Sequence, residues 1–133
     1  MALDDVAPRL PRFLPAWQHE EIVDRLISGA PANARPWAIF LAGGPGAGKG
    51  HCWDRLVRQL AVQQQQFCWI DTDSHRQFLP AWHADRHSVK SMQTIADTQH
   101  EAGYITELAV YRCARTRRNF VVDSTMRDFE HTL

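Results

Sequence analysis

The chain has 133 residues, 44 % of them hydrophobic and 23 % charged, which fits one globular domain and leaves no room for a second. Fifteen basic residues balance fifteen acidic ones, so net charge gives no reason to expect a nucleic-acid or membrane partner. The cysteines Cys52, Cys68 and Cys113 are odd in number, and Cys52 and Cys68 stand in apolar stretches where cysteine acts as a small buried hydrophobe. A reducing, cytoplasmic setting is the expectation.

Residues 1–15 are interrupted by Asp4, Asp5, Pro8, Pro11 and Pro15. They read as an extended surface or disordered segment, with no apolar run suited to a signal peptide or a membrane span. Residues 18–28 read as a helix with Ile22, Val23, Leu26 and Ile27 on one face and Gly29 closing its end. Residues 37–42 form a short unbroken apolar run, expected as a strand buried on both faces. After a glycine-rich loop, a second helix is expected from Lys49 to about Gln64, with Trp53, Leu56, Val57 and Leu60 facing inward. Residues 67–70 read as a second strand ending at Asp71. Residues 72–87, broken by Pro80, read as loop, and 91–118 as a long helix bent or broken near Gly103. Residues 120–122 complete a third strand ending at Asp123.

Alternating helices and strands imply parallel strands joined by right-handed crossovers. In such sheets ligands bind at the carboxyl edge. This topology gathers Lys49, Asp71, Asp73 and Asp123 there. The expected architecture is α/β, a three-layer P-loop core with about three parallel strands.

The loop reads Gly43, Gly44, Pro45, Gly46, Ala47, Gly48, Lys49, Gly50, followed by His51. It holds the G-x-x-x-x-G-K skeleton of a phosphate-binding loop. Glycines allow positive φ, successive amides form an anion nest, and the next helix directs its positive end at the phosphates. A plain glycine turn is the simpler reading, but the flanking strand and amphipathic helix favour phosphate binding. The residue after the lysine is usually Ser or Thr, a Mg²⁺ ligand; here it is Gly50, and His51 is a poorer partner for a hard ion. Either Mg²⁺ is held through water by Asp71 and Asp123, or metal use is impaired.

Asp71 and Asp73 follow the second strand and could accept a proton from an attacking hydroxyl, hold Mg²⁺ through water, or cap the next turn. Asp123, ending the third, is placed like a Walker-B acid.

Three blocks resemble the zeta-toxin family of P-loop kinases: residues 42–49; Ile70-Asp71-Thr72-Asp73 with Leu79-Pro80; and residues 100–107 running on to 119–128. The resemblance implies a partial kinase domain over 37–133, preceded by an N-terminal extension and helix over 1–36. It implies ATP or GTP with Mg²⁺ as the phosphoryl source, and a UDP-sugar-like or similar metabolite hydroxyl as acceptor. By position, Lys49 resembles the phosphate-binding lysine and Asp73 the base. Glu107 and Thr125 resemble substrate-binding residues, Asp123 the Walker-B acid, and Arg127 a phosphate or substrate contact. Zeta-like kinases continue past the third strand into a lid with arginines, so a fragment, or a chain completed by a subunit or bound by an antitoxin, is expected. A nucleotide- or partner-binding module without chemistry is the alternative. Among the remaining residues, His100 reads as a helix residue, the His83/His87 pair lacks further ligands for zinc, and Trp82 is the tryptophan best placed to touch substrate.

Overall fold

The structure, a computed structural model, describes residues 13–42, 48–60, 63 and 66–124. Helix α1 spans Ala16–Ile27 and begins after the extended Pro15, whose carbonyl accepts from the amides of Gln18 and His19. Its apolar stripe is the expected one: Ile22, Val23 and Ile27 are buried, and Leu26 is half-buried against the same core. Arg118 reaches back to the far end of α1 and donates to the carbonyls of Ile27 and Ala30. It thereby satisfies acceptors that a helix terminus leaves open.

Strand β1 (Ala38–Ala42), helix α2 (Lys49–Leu60), strand β2 (Phe67–Asp71) and strand β3 (Asn119–Ser124) form the nucleus of the fold. The expected continuation of α2 to Gln64 falls largely outside the described residues. The three strands are parallel in the order β1-β3-β2. Among the described strands the last in sequence is therefore the central one, and Phe120, Val121 and Val122 are all buried.

Side chains alternate across the sheet. On one face Cys68, Ile70, Phe120 and Val122 meet Val23, Ile27 and Ala30 from the α1 segment and Ala109 and Cys113 from a long helix α5 (Met92–Arg115). On the other face Leu41, Phe67 and Val121 meet Trp53 of α2, with Ile39, Leu56 and Val57 at the margin. The Trp53 ring stands edge-on to Phe67 and Trp69, with centroids 5.3 and 5.7 Å apart. Helices on both faces give the three-layer α/β arrangement read from the sequence.

Two sequence expectations about burial change. Among the described residues strand β1 is not covered on both faces: it lies at the edge of the three described strands, α1 and α5 pack chiefly on β2 and β3, and Phe40 is 51 % exposed. Cys52 is exposed, because it falls outside the α2 stripe led by Trp53; Cys68 and Cys113 are buried.

The segment after β2 is also more ordered than a loop. Thr72–His75 form a short helix α3, Arg76–Phe78 a 3-10 turn, and Pro80–Ala84 a helix α4. Pro80 occupies the first turn of α4, where a missing amide hydrogen costs nothing, so it starts a helix instead of breaking one. Asp85 then organises the approach to α5. Its carboxylate accepts from the amides of His87 and Ser91 (3.1 and 3.0 Å), the Thr94 hydroxyl (2.7 Å) and the His87 ring.

Helix α5 is capped by Ser91, whose hydroxyl accepts from the Thr94 amide at 3.1 Å. It runs through Gly103 without interruption, where a bend or break had been expected. It ends at Arg115, earlier than residue 118, because Arg117 adopts φ 58° and the Arg118 amide bonds back to the Cys113 carbonyl at 2.9 Å. This is the Schellman closure with an arginine at the usual glycine position. Between α1 and α5, His19 Nε2 lies 2.7 Å from Glu101 Oε2, and the Leu14 amide donates to the same oxygen at 2.6 Å. Both side chains are buried, and the rings of Phe13 and Tyr104 flank the imidazole. Among the described residues no helix is long and apolar enough to cross a membrane.

Candidate functional site

The end of β1, the start of α2 and the ends of β2 and β3 converge at the carboxyl edge of the sheet. Gly43, Gly44, Pro45, Gly46 and Ala47 lie outside the described residues, as do Thr125 and Arg127. Gly48 takes φ 86°, a conformation that disfavours any residue with a Cβ. Among the described residues no atom lies within 4 Å of a Cβ built there, so the constraint seen is on the backbone. The Gly48 carbonyl accepts the first hydrogen bond of α2, from the Cys52 amide at 3.0 Å. Lys49 is thereby set in the first turn, where amides without helical partners and the helix dipole already favour an anion. Gly50 and His51 are exposed in the same turn.

Strand register decides what Lys49 faces. Leu41, Asp123 and Asp71 form one row across β1, β3 and β2, on the face that carries α2. Lys49 Nζ lies 2.9 Å from Asp123 Oδ1, with both side chains about one-quarter exposed (21 and 25 %). Among the described residues that oxygen has no further hydrogen-bond donor, so the pair with Lys49 is its one polar contact there. Asp71 is the register partner of Asp123 one strand away, about 4.8 Å across the ladder. Its carboxylate accepts from the Asp73 amide (3.1 Å) and the Ser74 hydroxyl (3.0 Å), so it caps α3. The capping role weighed in the sequence therefore belongs to Asp71.

Asp73 projects from α3 with its side chain 83 % exposed and pairs with Arg76. Arg76 itself is 5 % exposed. Its Nε donates to Thr98 Oγ1 at 3.1 Å, it donates to Gln99 Oε1, and its guanidinium lies 6.0 Å from the Trp82 ring. Sequence reading passed over Arg76; its i,i+3 spacing from an acid on a helix was the available signal.

Beneath α3 lies a buried polar chain that sequence reading also missed. Thr106 Oγ1 is 2.8 Å from Thr72 Oγ1, 2.9 Å from His75 Nδ1 and 3.2 Å from the Ala102 carbonyl. His75 Nε2 is buried with no partner among the described residues. Burial pushes the His75 imidazole below its ordinary pKa, against the Ala102 carbonyl and the Asp71 charge, which pull it up. The chain ties α3, and hence Asp73, to α5.

Several candidates do not join this group. Glu107 and His100 are exposed on α5, and neither pairs with the Lys49 cluster. The Trp82 ring has Arg76 and Lys90 near it, 6.0 and 5.4 Å from its centroid, and packs beside the cluster of Ile22, Leu79 and Ile105. His83 contacts the Gln77 carbonyl and His87 pairs with Asp85. Among the described residues no three His, Cys, Asp or Glu side chains converge on a metal-sized site.

The donors present suit a magnesium nucleotide. A primary ammonium at a helix start matches phosphate oxygens, and two adjacent carboxylates match a hydrated hard cation that needs few protein ligands.

Comparison with known proteins agrees with this geometry. The Zeta toxin family model matches residues 20–132. A solved structure from the characterisation of the PezAT chromosomal toxin–antitoxin system of the human pathogen Streptococcus pneumoniae is similar in fold, with a TM-score of 0.69 and 23 % sequence identity. That similarity covers 86 % of this chain and 47 % of the other, so this chain spans about half the length of that protein. A search of curated proteins returned no match. With the family model covering most of the sequence, and with a P-loop sheet of the corresponding fold beneath it, the chain belongs to the zeta toxin family.

Proposed function

We propose that this chain acts as the nucleotide-binding part of an ATP- or GTP-dependent kinase that phosphorylates a hydroxyl of a small metabolite, with a nucleotide sugar as the leading acceptor class. The observation that carries the reading is the Lys49–Asp123 pair at 2.9 Å, at the start of the helix that follows the glycine loop. Lys49 binds the terminal phosphate oxygens, and Asp123 restrains the ammonium at the sheet edge. Asp71 and Asp123 would hold Mg²⁺ through water, and the ion would supply charge neutralisation on the phosphates. Asp73 takes the proton from the acceptor hydroxyl as its oxygen attacks the γ-phosphorus and the bond to the nucleoside diphosphate breaks. Glu107 and Thr125 are assigned to the acceptor side by their family positions, and Arg127 to a contact with phosphate or substrate. The reading extends to a toxin role, an antitoxin partner and a cytoplasmic setting.

The test is ATP affinity by calorimetry, with turnover measured on a panel of UDP-sugars and dinucleotides. Loss of one charged hydrogen-bond donor predicts that Lys49→Ala weakens ATP binding by about 10- to 100-fold. Asp73→Ala leaves that affinity in place and lowers kcat by about 100- to 10,000-fold. Unchanged ATP affinity in a folded Lys49→Ala chain refutes the assignment.

A further inference from the structure

We infer that Arg76 is the positioning residue of the proposed phosphotransfer site: it aims the Asp73 carboxylate and fixes it to helix α5. The inference rests on the kinase reading above and adds a residue outside the three blocks that carry the family resemblance.

Asp73 sits on a helix of four residues with its side chain largely in solvent. Nothing in so short an element would restrict its rotamers. Arg76 supplies the restriction. Its guanidinium is buried and spends each nitrogen on a different acceptor: Nε on Thr98 Oγ1, one terminal nitrogen on Gln99 Oε1, the other on Asp73 Oδ1. Its plane rests near Trp82, which Lys90 approaches to 5.4 Å. Arginine suits this task because its planar fork fixes several directions at once, which the single ammonium of lysine does not.

Two consequences follow from this geometry. Among the described residues Asp73 is the only carboxylate paired with Arg76, and a buried cation needs a counter-charge, so the ion pair holds both groups in place. Among the described residues only Oδ1 of Asp73 is engaged, which leaves Oδ2 as the oxygen that meets an acceptor hydroxyl. The anchor residues Thr98 and Gln99 lie on α5, the helix that also carries Glu107. Arg76 thus couples the base to the helix assigned to the acceptor side.

The experiment is a double-mutant cycle in the full chain, reading kcat, KM for ATP and thermal midpoint. Displacement of a reacting group by about 1 Å costs up to about 100-fold, so Arg76→Met is expected to lower kcat by about that factor with KM for ATP unchanged. Arg76→Lys recovers part of the loss. In an Asp73→Asn background the same Arg76 change has no further effect on kcat. Should Arg76→Met fail to fold, Gln99→Leu loosens the anchor from the other side and is expected to lower kcat about 10-fold at unchanged KM for ATP. Additive losses in the two backgrounds, or full kcat in folded Arg76→Met, overturn the positioning role while the kinase reading stands. A wild-type chain that transfers no phosphoryl group sinks the kinase reading and this role with it.

Discussion

Thr106 offers the sharpest measure of how α3 is held over the sheet. Replacement by valine keeps the volume and branching, so no cavity opens, but it deletes the hydroxyl that joins Thr72 Oγ1 at 2.8 Å and His75 Nδ1 at 2.9 Å. All three side chains are buried, so water cannot replace the lost partner. Each buried polar atom left without a partner costs about 1–3 kcal/mol, and two are stranded, which puts Thr106→Val at about 2–6 kcal/mol. Thr106→Ser keeps the hydroxyl and loses one methyl, a cost of about 1 kcal/mol. Urea unfolding of both variants, with the denaturant slope unchanged, separates the two contributions. A valine variant within about 0.5 kcal/mol of wild type, or serine and valine variants equally destabilised, would mean that the network holds nothing, since surface-like changes fall in that range.

Two further outcomes follow from groups already described. Burial lowers the His75 pKa, so the unfolded chain takes up the proton first; stability is full above the unfolded value of about 6.5 and declines as pH falls below it toward the folded pKa. Thermal midpoints measured from pH 7.5 down to 5.5 should fall, and a His75→Gln variant should lose that part of the slope; an unaltered slope would rule out His75 as its source. Thiol titration of the native chain should label exposed Cys52 rapidly and buried Cys68 and Cys113 only on unfolding; equal rates at all three would contradict the packing of β2 on α5.

The features written in local chemistry were legible in the sequence. The apolar run before Gly43, the acids ending β2 and β3, and the stripe of α1 each rest on neighbours a few residues apart, and each is found where expected. The exposure of β1 was not legible, because it depends on which strand stands beside it, and β3 arrives from far along the chain. Cys52 looked buried because its neighbours are apolar, yet the helix turns it away from the stripe set by Trp53. The order within residues 72–84 was hidden by Pro80, which begins a helix as readily as it ends one. Arg76 and the Thr72–Thr106–His75 chain escaped notice for the same reason as β1: their partners lie across a crossover, on α5.

The order of the sheet has a consequence for how the molecule comes into being. The two earlier strands never touch, and both wait for residues 119–124 to slide between them. During synthesis, β1 and β2 lack this shared mate, and the lysine and the acid that face each other at the sheet edge remain strangers until β3 leaves the ribosome. Closing so long a stretch of backbone is slow compared with local helix growth. The cleft and the structural centre therefore mature in one late event, and a chain halted before Asn119 would have neither.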